Sequence, residues 1–193
     1  MSRRIVLASG SPRRRALLAE LGLTFEVWKP DADESHSPDE APEALCVRLS
    51  RLKAEAGARK FPDALVIAAD TIVVVDGQVL GKPSDRQDAV RMLTMLQGRT
   101  HEVLTGVSVC LAGKVLSHAE RTLVKFRPLT HDEIVAYAAT GECDDKAGAY
   151  AVQGKGSLLV EGLRGDYFNV VGLPVCALGK MLSELGVNLL GGI

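Results

Sequence analysis

Apolar residues come in short blocks divided by turn residues, and the spacing within each block predicts an element. IVLAS (5–9) is a continuous run that predicts a short buried strand. Ser11 then supplies an N-cap and Pro12 the first helical position, with Leu17, Leu18 and Leu21 as the apolar face and Gly22 as the stop. TFEVW (24–28) predicts another strand, and the acidic, turn-rich stretch 31–43 a surface loop. Leu45, Leu49, Leu52 and Ala56 recur at helical spacing, so 42–59 reads as an amphipathic helix.

ALVIAAD (64–70) stays apolar until Asp70, the pattern of a strand covered on both faces. In TIVVVDGQVL the Asp76-Gly77 pair between β-branched runs predicts a hairpin. Ser84 with Gln87 reads as a capping box for a helix striped by Ala89, Val90, Leu93 and Leu96 and stopped at Gly98. Residues 100–111 and 115–127 predict a pair of antiparallel strands, and Thr130 with Glu133 a second capping box. SLLVE (157–161) and FNVVG (168–172) read as strands, and Pro174 opens a last helix closed by Gly186. Helices and strands intermingle without strict alternation, so the expected class is α/β, a mixed sheet flanked by helices.

The 193 residues fit one domain, 1–193, and 47% apolar content is enough for a globular core. A net charge of −1 argues against nucleic acid as a partner, because phosphate neutralisation needs an excess of Lys and Arg. Aromatic content of 4% argues against stacking platforms for single strands. Cys46, Cys110, Cys143 and Cys176 are scattered singly, as are the four histidines, so no zinc spacing or disulfide framework is present. The opening MSRRIVLASG is too short an apolar stretch for a signal peptide or a membrane span, and the expected location is the cytoplasm.

The chemistry concentrates in a few stretches. LASGSPRRR (7–15) places three arginines at a predicted helix start, where the helix dipole disfavours cations. Backbone N–H groups of the Ser9-Gly10-Ser11 turn, with the planar forks of Arg13 and Arg14, suit a phosphate. The alternative is a solvated basic face. Asp70 reads equally as an acid that has reached solvent at a strand end or as a buried carboxylate that needs a partner. Thr71 offers a hydroxyl on the opposite side of the strand. Lys53, Lys82, Asp33 and Glu34, each taken alone, read as solvated charges. AGAYAVQGKGS (147–157) is not a Walker A loop: the first glycine and the Ser/Thr after Lys155 are both missing.

Taken together these stretches resemble one family. LASGSPRRR, DADE (31–34), VRLSRLKA (47–54), AADTIV (68–73), GKP (81–83), DKAGAYAVQG (145–154) and VVGLP (170–174) occur in the order and spacing of the Maf family of nucleoside triphosphate pyrophosphatases. The resemblance implies a fold similar to the inosine triphosphate pyrophosphatases, an elongated mixed sheet with two lobes around a cleft. It implies hydrolysis of a nucleoside triphosphate to monophosphate and pyrophosphate, aided by a divalent cation (Mg, Mn or Co). It carries the catalytic proton acceptor to Asp70, the phosphate-side residues to Ser9, Arg13, Arg14, Lys53 and Lys82, and metal binding to Glu34 and Asp70. Arg13, Thr71 and Gln153 resemble the branch acting on dTTP and UTP, and a Gln amide can pair with a pyrimidine imide edge. Modified purine triphosphates such as 7-methyl-GTP are the alternative substrates, and a nucleotide-binding regulator of septum formation the alternative role. A homodimer is expected by analogy. Cys143 and Asp144 depart from the Pro-Leu pair common before the DKAGAY block.

Overall fold

The structure is a computed structural model that describes residues 3–32, 35 and 40–190. The chain folds as β1 (Ile5–Ala8), α1 (Pro12–Glu20), β2 (Glu26–Trp28), α2 (Pro42–Lys60), β3 (Leu65–Val75) and β4 (Gln78–Leu80). There follow α3 (Arg86–Leu96), β5 (Thr100–Leu111), β6 (Lys114–Phe126) and α4 (His131–Ala138). The last elements are β7 (Val160–Arg164), α5 (Tyr167–Val171) and α6 (Val175–Glu184). The strands form a seven-stranded sheet of order β2-β1-β3-β5-β6-β7, with β4 paired to β3. β1 runs parallel to β2 and β3, whereas β3–β4 and β6–β7 are antiparallel, so the sheet is mixed as expected.

The chain divides into two compact units. Unit 1 comprises residues 1–70, 105–120 and 172–193, and unit 2 comprises 71–104 and 121–171. Each has a core of its own. In unit 1, Val6, Ala8, Ala54, Val66, Ala68 and Cys110 pack together with Trp28 and Phe61 at the margin. In unit 2, Val73, Leu80, Met92, Leu93, Phe126 and Tyr150 belong to a larger cluster. Among the described residues no helix is long and apolar enough to cross a membrane.

Several local expectations hold for the reasons given. Ser11 caps α1 with Pro12 in the first turn, and Gly22 follows with φ 74°. Thr130 and Glu133 form the reciprocal capping box of α4. Asp76 and Gly77 take φ 50° and 76° between β3 and β4, the positive angles that a two-residue hairpin turn demands.

Others are corrected. α3 is capped by Asp85, whose carboxylate accepts from the Asp88 N–H, and not by a Ser84–Gln87 box. SLLVE divides: 154–158 is a 3-10 turn and the strand begins only at Val160. FNVVG is helical (α5), because Asp166 accepts from the Phe168 N–H and starts a turn that the β-branched pair does not override. β3 does not stop at Asp70 but runs 11 residues to Val75, so the acid lies mid-strand.

Candidate active site

Unit 1 carries Arg13, Arg14, Lys53 and Asp70 among the charged residues that the sequence singled out. β1 delivers the chain to Ser9 and the turn into α1. The β1–β3 register pairs Ile5 with Leu65 and Leu7 with Ile67. Continued two residues, it sets Ala69 and Asp70 level with Ser9 and Gly10. The chain leaves β1 towards β2 on one side, while β3 lies on the other side. The carboxyl end of β1 is thus a topological switch point of the sheet, beside the middle of β3.

Ser9 is buried, and its Oγ accepts from the Ser11 N–H at 3.2 Å and from the Arg14 guanidinium at 3.1 Å. Arg14 Nε also donates to the Gly172 carbonyl at 2.7 Å. Gly172 takes φ 120°, which explains why VVGLP carries a glycine at this place. Arg14 is thus pinned at both ends of its fork, and Arg13 stands half-buried beside it. With no acidic residue in its first turn, α1 presents only cations and N–H groups there. That is an anion site by dipole and by charge.

Lys53 projects from α2 to Asp70 of β3, with Nζ 2.5 Å from Oδ1 and the two side chains 10% and 13% exposed. The apolar stripe expected on α2 holds in its first half, where Leu45 and Leu49 are buried, and departs from expectation in its second. Leu52 is 38% exposed, whereas the sheet-facing row is Cys46, Ser50, Lys53 and Gly57. Small residues allow the close approach. A Cβ on Gly106 of β5 would strike the α2 backbone at Cys46 and Val47, and one on Gly57 would meet Val66 of β3 at 2.7 Å. Ser50 Oγ lies 2.8 Å from Ser108 Oγ of β5, which satisfies both hydroxyls. α2 lies so near the sheet that Lys53 reaches Asp70 with most of its length shielded. Burial, with the Asp70 charge as a second cause, pushes the Cys46 thiol up to about 12, so it stays a neutral filler beneath the pair.

Unit 2 presents its candidates differently. Lys82 and Gln153 are exposed, and Thr71 is half-buried on β3 one residue beyond Asp70. The Gly81 carbonyl accepts from the Gly148 N–H at 3.0 Å, tying the GKP stretch to the AGA turn. Gly148 has φ 68°, and a Cβ there would meet Val73 at 2.9 Å, so only glycine fits. Beneath, His101 Nε2 lies 2.8 Å from the Tyr150 hydroxyl, and both rings meet Phe126 edge-on. Burial lowers His101 to about 4 and raises Tyr150, so both are neutral.

Glu34 and Asp33 lie outside the described residues. Among the described residues no three His, Cys, Asp or Glu side chains converge on a metal position. A self-contained cage is therefore absent there. A Mg²⁺-type ion is characteristically held by one or two carboxylates plus substrate phosphates, and Asp70 fits that mode. Gly172 and Ser50 fall inside the VVGLP and VRLSRLKA motifs without an assigned role, and Gly106 falls in no motif. A glycine before a helix and serines in an otherwise apolar context were the only hints.

The Maf-like protein family profile matches residues 4–185. A dTTP/UTP pyrophosphatase of Moorella thermoacetica is 52% identical over 193 residues, covering 98% of this chain and 99% of that protein. One from Pelotomaculum thermopropionicum is 50% identical over 188 residues, covering 96% and 98%. One from Symbiobacterium thermophilum is 46% identical over 188 residues, covering 97% of both. Among solved structures, a HAM1 protein from Coxiella burnetii superposes with TM-score 0.52 at 16% identity over 95% of this chain and 100% of that one, a likeness of fold.

Proposed function

This chain belongs to the Maf-like protein family, and we propose that it hydrolyses dTTP and UTP, and modified pyrimidine nucleotides of the same shape, to the monophosphate and pyrophosphate. The observation that carries the reading is the shielded Lys53–Asp70 pair level with the cationic start of α1. A triphosphate supplies the negative charge that this helix start lacks.

In the reaction, water oxygen bonds to the α-phosphorus and the bond from that phosphorus to the α,β-bridging oxygen breaks. Pyrophosphate leaves with the electron pair. Asp70 accepts the water proton, a role that requires only a held carboxylate within hydrogen-bond reach. Lys53 orients Asp70 through its 2.5 Å contact. Arg14, already fixed by Ser9 and Gly172, needs no reorganisation to meet phosphate oxygens, and Arg13 adds a second fork. Charge growing on the leaving pyrophosphate is stabilised by cations of this kind, the main source of rate in phosphoryl transfer. Lys82 is assigned to the phosphates, and Thr71 and Gln153 to the base. A divalent cation held by Asp70, together with Glu34, would add positive charge at the phosphates and acidify a bound water. Free nucleotide in the cytoplasm is the expected substrate pool.

Purified protein is given a panel of nucleoside triphosphates with Mg²⁺, Mn²⁺ or Co²⁺, and the product is read as pyrophosphate or orthophosphate. Pyrophosphate from dTTP and UTP in preference to 7-methyl-GTP and inosine triphosphate is expected. Orthophosphate as the product, or a purine preference, overturns the reading.

A further inference from the structure

We infer that Glu142 is a positioning residue for nucleobase selection: its carboxylate, with the Tyr137 hydroxyl, clamps the loop that carries Gln153. The inference rests on the assignment of Gln153 to the base. Glu142 has no place in the motif set that identified the family.

Gln153 is exposed and extended, with φ −102° and ψ 171°, immediately before the 3-10 turn 154–158. An exposed side chain on a loop has no packing to aim it, so its direction depends on how firmly the backbone on either side is held. Two side chains do the holding. Before Gln153, the Ala151 N–H donates to Tyr137 Oη at 3.1 Å, inside the unit 2 core. After it, the Lys155 N–H donates to Glu142 Oε1 at 3.2 Å and the Gly156 N–H to Oε2 at 3.0 Å. Both oxygens of one carboxylate are thus spent on two consecutive backbone donors.

The loop is shaped around that carboxylate. Gly154 takes φ +64°, and a Cβ there would run into Glu142 Oε1. A Cβ on Gly156 would strike the Ala151 carbonyl and come within 2.7 Å of Tyr137 Oη. Glu142 is itself fixed: its N–H donates to Thr140 Oγ1 at 3.2 Å, and that hydroxyl donates to the Tyr137 carbonyl at 2.7 Å. The two clamps are joined through Thr140, whose hydroxyl links the Glu142 N–H to the Tyr137 carbonyl, and burial with the nearby Glu142 carboxylate raises Tyr137. Tyr137, Thr140 and Glu142 therefore form one support on the end of α4, and Gln153 sits between its two attachment points. A base-reading amide must hold its donor and acceptor in register with the imide edge, and a rigid backbone provides this without a buried side chain.

The test uses full-length wild type, Glu142→Ala and Glu142→Gln, with two readouts. Hydrogen–deuterium exchange over 150–158 should rise sharply at Lys155 and Gly156 in Glu142→Ala and only partly in Glu142→Gln, whose amide oxygen still accepts. Unchanged exchange in Glu142→Ala overturns the clamp. In steady-state assays the preference for dTTP over dCTP should fall about tenfold in Glu142→Ala, mainly through KM for dTTP, and recover in part in Glu142→Gln. Equal loss on both nucleotides, or loss in kcat alone, overturns the positioning role. Wild type that releases no pyrophosphate from dTTP overturns the functional reading instead, and the exchange data still decide the clamp.

Discussion

The two units bury ionisable groups in opposite ways. Unit 1 keeps charges, with Lys53 and Asp70 in contact at 2.5 Å and nearly shielded. Unit 2 keeps its buried titratable groups neutral, His101 by a lowered pKa and Tyr150 by a raised one, and leaves Lys82 and Gln153 at the surface. A buried ion pair is often no more stabilising than a well-packed apolar replacement. On the function proposed above, its retention in unit 1 is explained by a role of that charge in the chemistry. The neutral cluster of the other unit is a packed support for loops whose exposed side chains include Gln153, assigned above to the base.

The largest test of that contrast is Asp70→Asn, expected to lower pyrophosphate release by about 10²–10⁴-fold while circular dichroism stays native. Full activity in that variant would remove Asp70 from the chemistry. Next, Lys53→Met leaves Asp70 buried and unpaired, a cost of about 3 kcal/mol, and calorimetry should show a melting midpoint about 6–12 °C lower. The double variant Lys53→Met/Asp70→Asn should lose less than the sum of the single losses.

The matching experiment in unit 2 is a pH series. Burial lowers His101 from its ordinary 6.5 to about 4 in the fold, so the unfolded chain binds the extra proton between those values. This contribution, on the order of 3 kcal/mol, is complete above pH 6.5 and is lost progressively as pH falls to about 4. Urea midpoints should show that slope in wild type and lose most of it in His101→Gln. Gly106→Ala should cost about 1–3 kcal/mol, because its Cβ meets α2 backbone, and should lower activity by displacing Lys53. The smallest effect is Thr130→Ala, which removes the α4 capping box; the melting point should fall by about 2–4 °C with turnover unchanged.

Much of the site was legible because its residues break local rules. Three arginines at a capped helix start and an acid inside an apolar run are conflicts that a stable fold does not keep without cause. Lys53 was not legible as a buried group. The leucine spacing found Leu45 and Leu49, which are buried, but Lys53 lies on the neighbouring row with Cys46, Ser50 and Gly57, which carries no large apolar residue. Helical periodicity counts hydrophobicity, and a helix seated on glycines buries by proximity. The apolar run stops at Asp70 and so suggests a strand end, which leaves a solvated and a buried, partnered acid equally open; β3 in fact continues, and the charge is met from α2. FNVVG failed in a similar way: β-branched content suggested a strand, and one Asp166 cap decided for a helix.

By itself the sequence determined the class of fold, the capped helix starts, the hairpin turns and the family, because caps, turns and motifs depend on residues close in the chain. The tertiary structure alone decided that Lys53 meets Asp70 across 17 positions, that Arg14 is held by a carbonyl 158 positions away, and that Glu142 supports the Gln153 loop. These pairings depend on how closely helices seat on the sheet and where loops return. That is set by steric fit among segments distant in sequence, which no local pattern records.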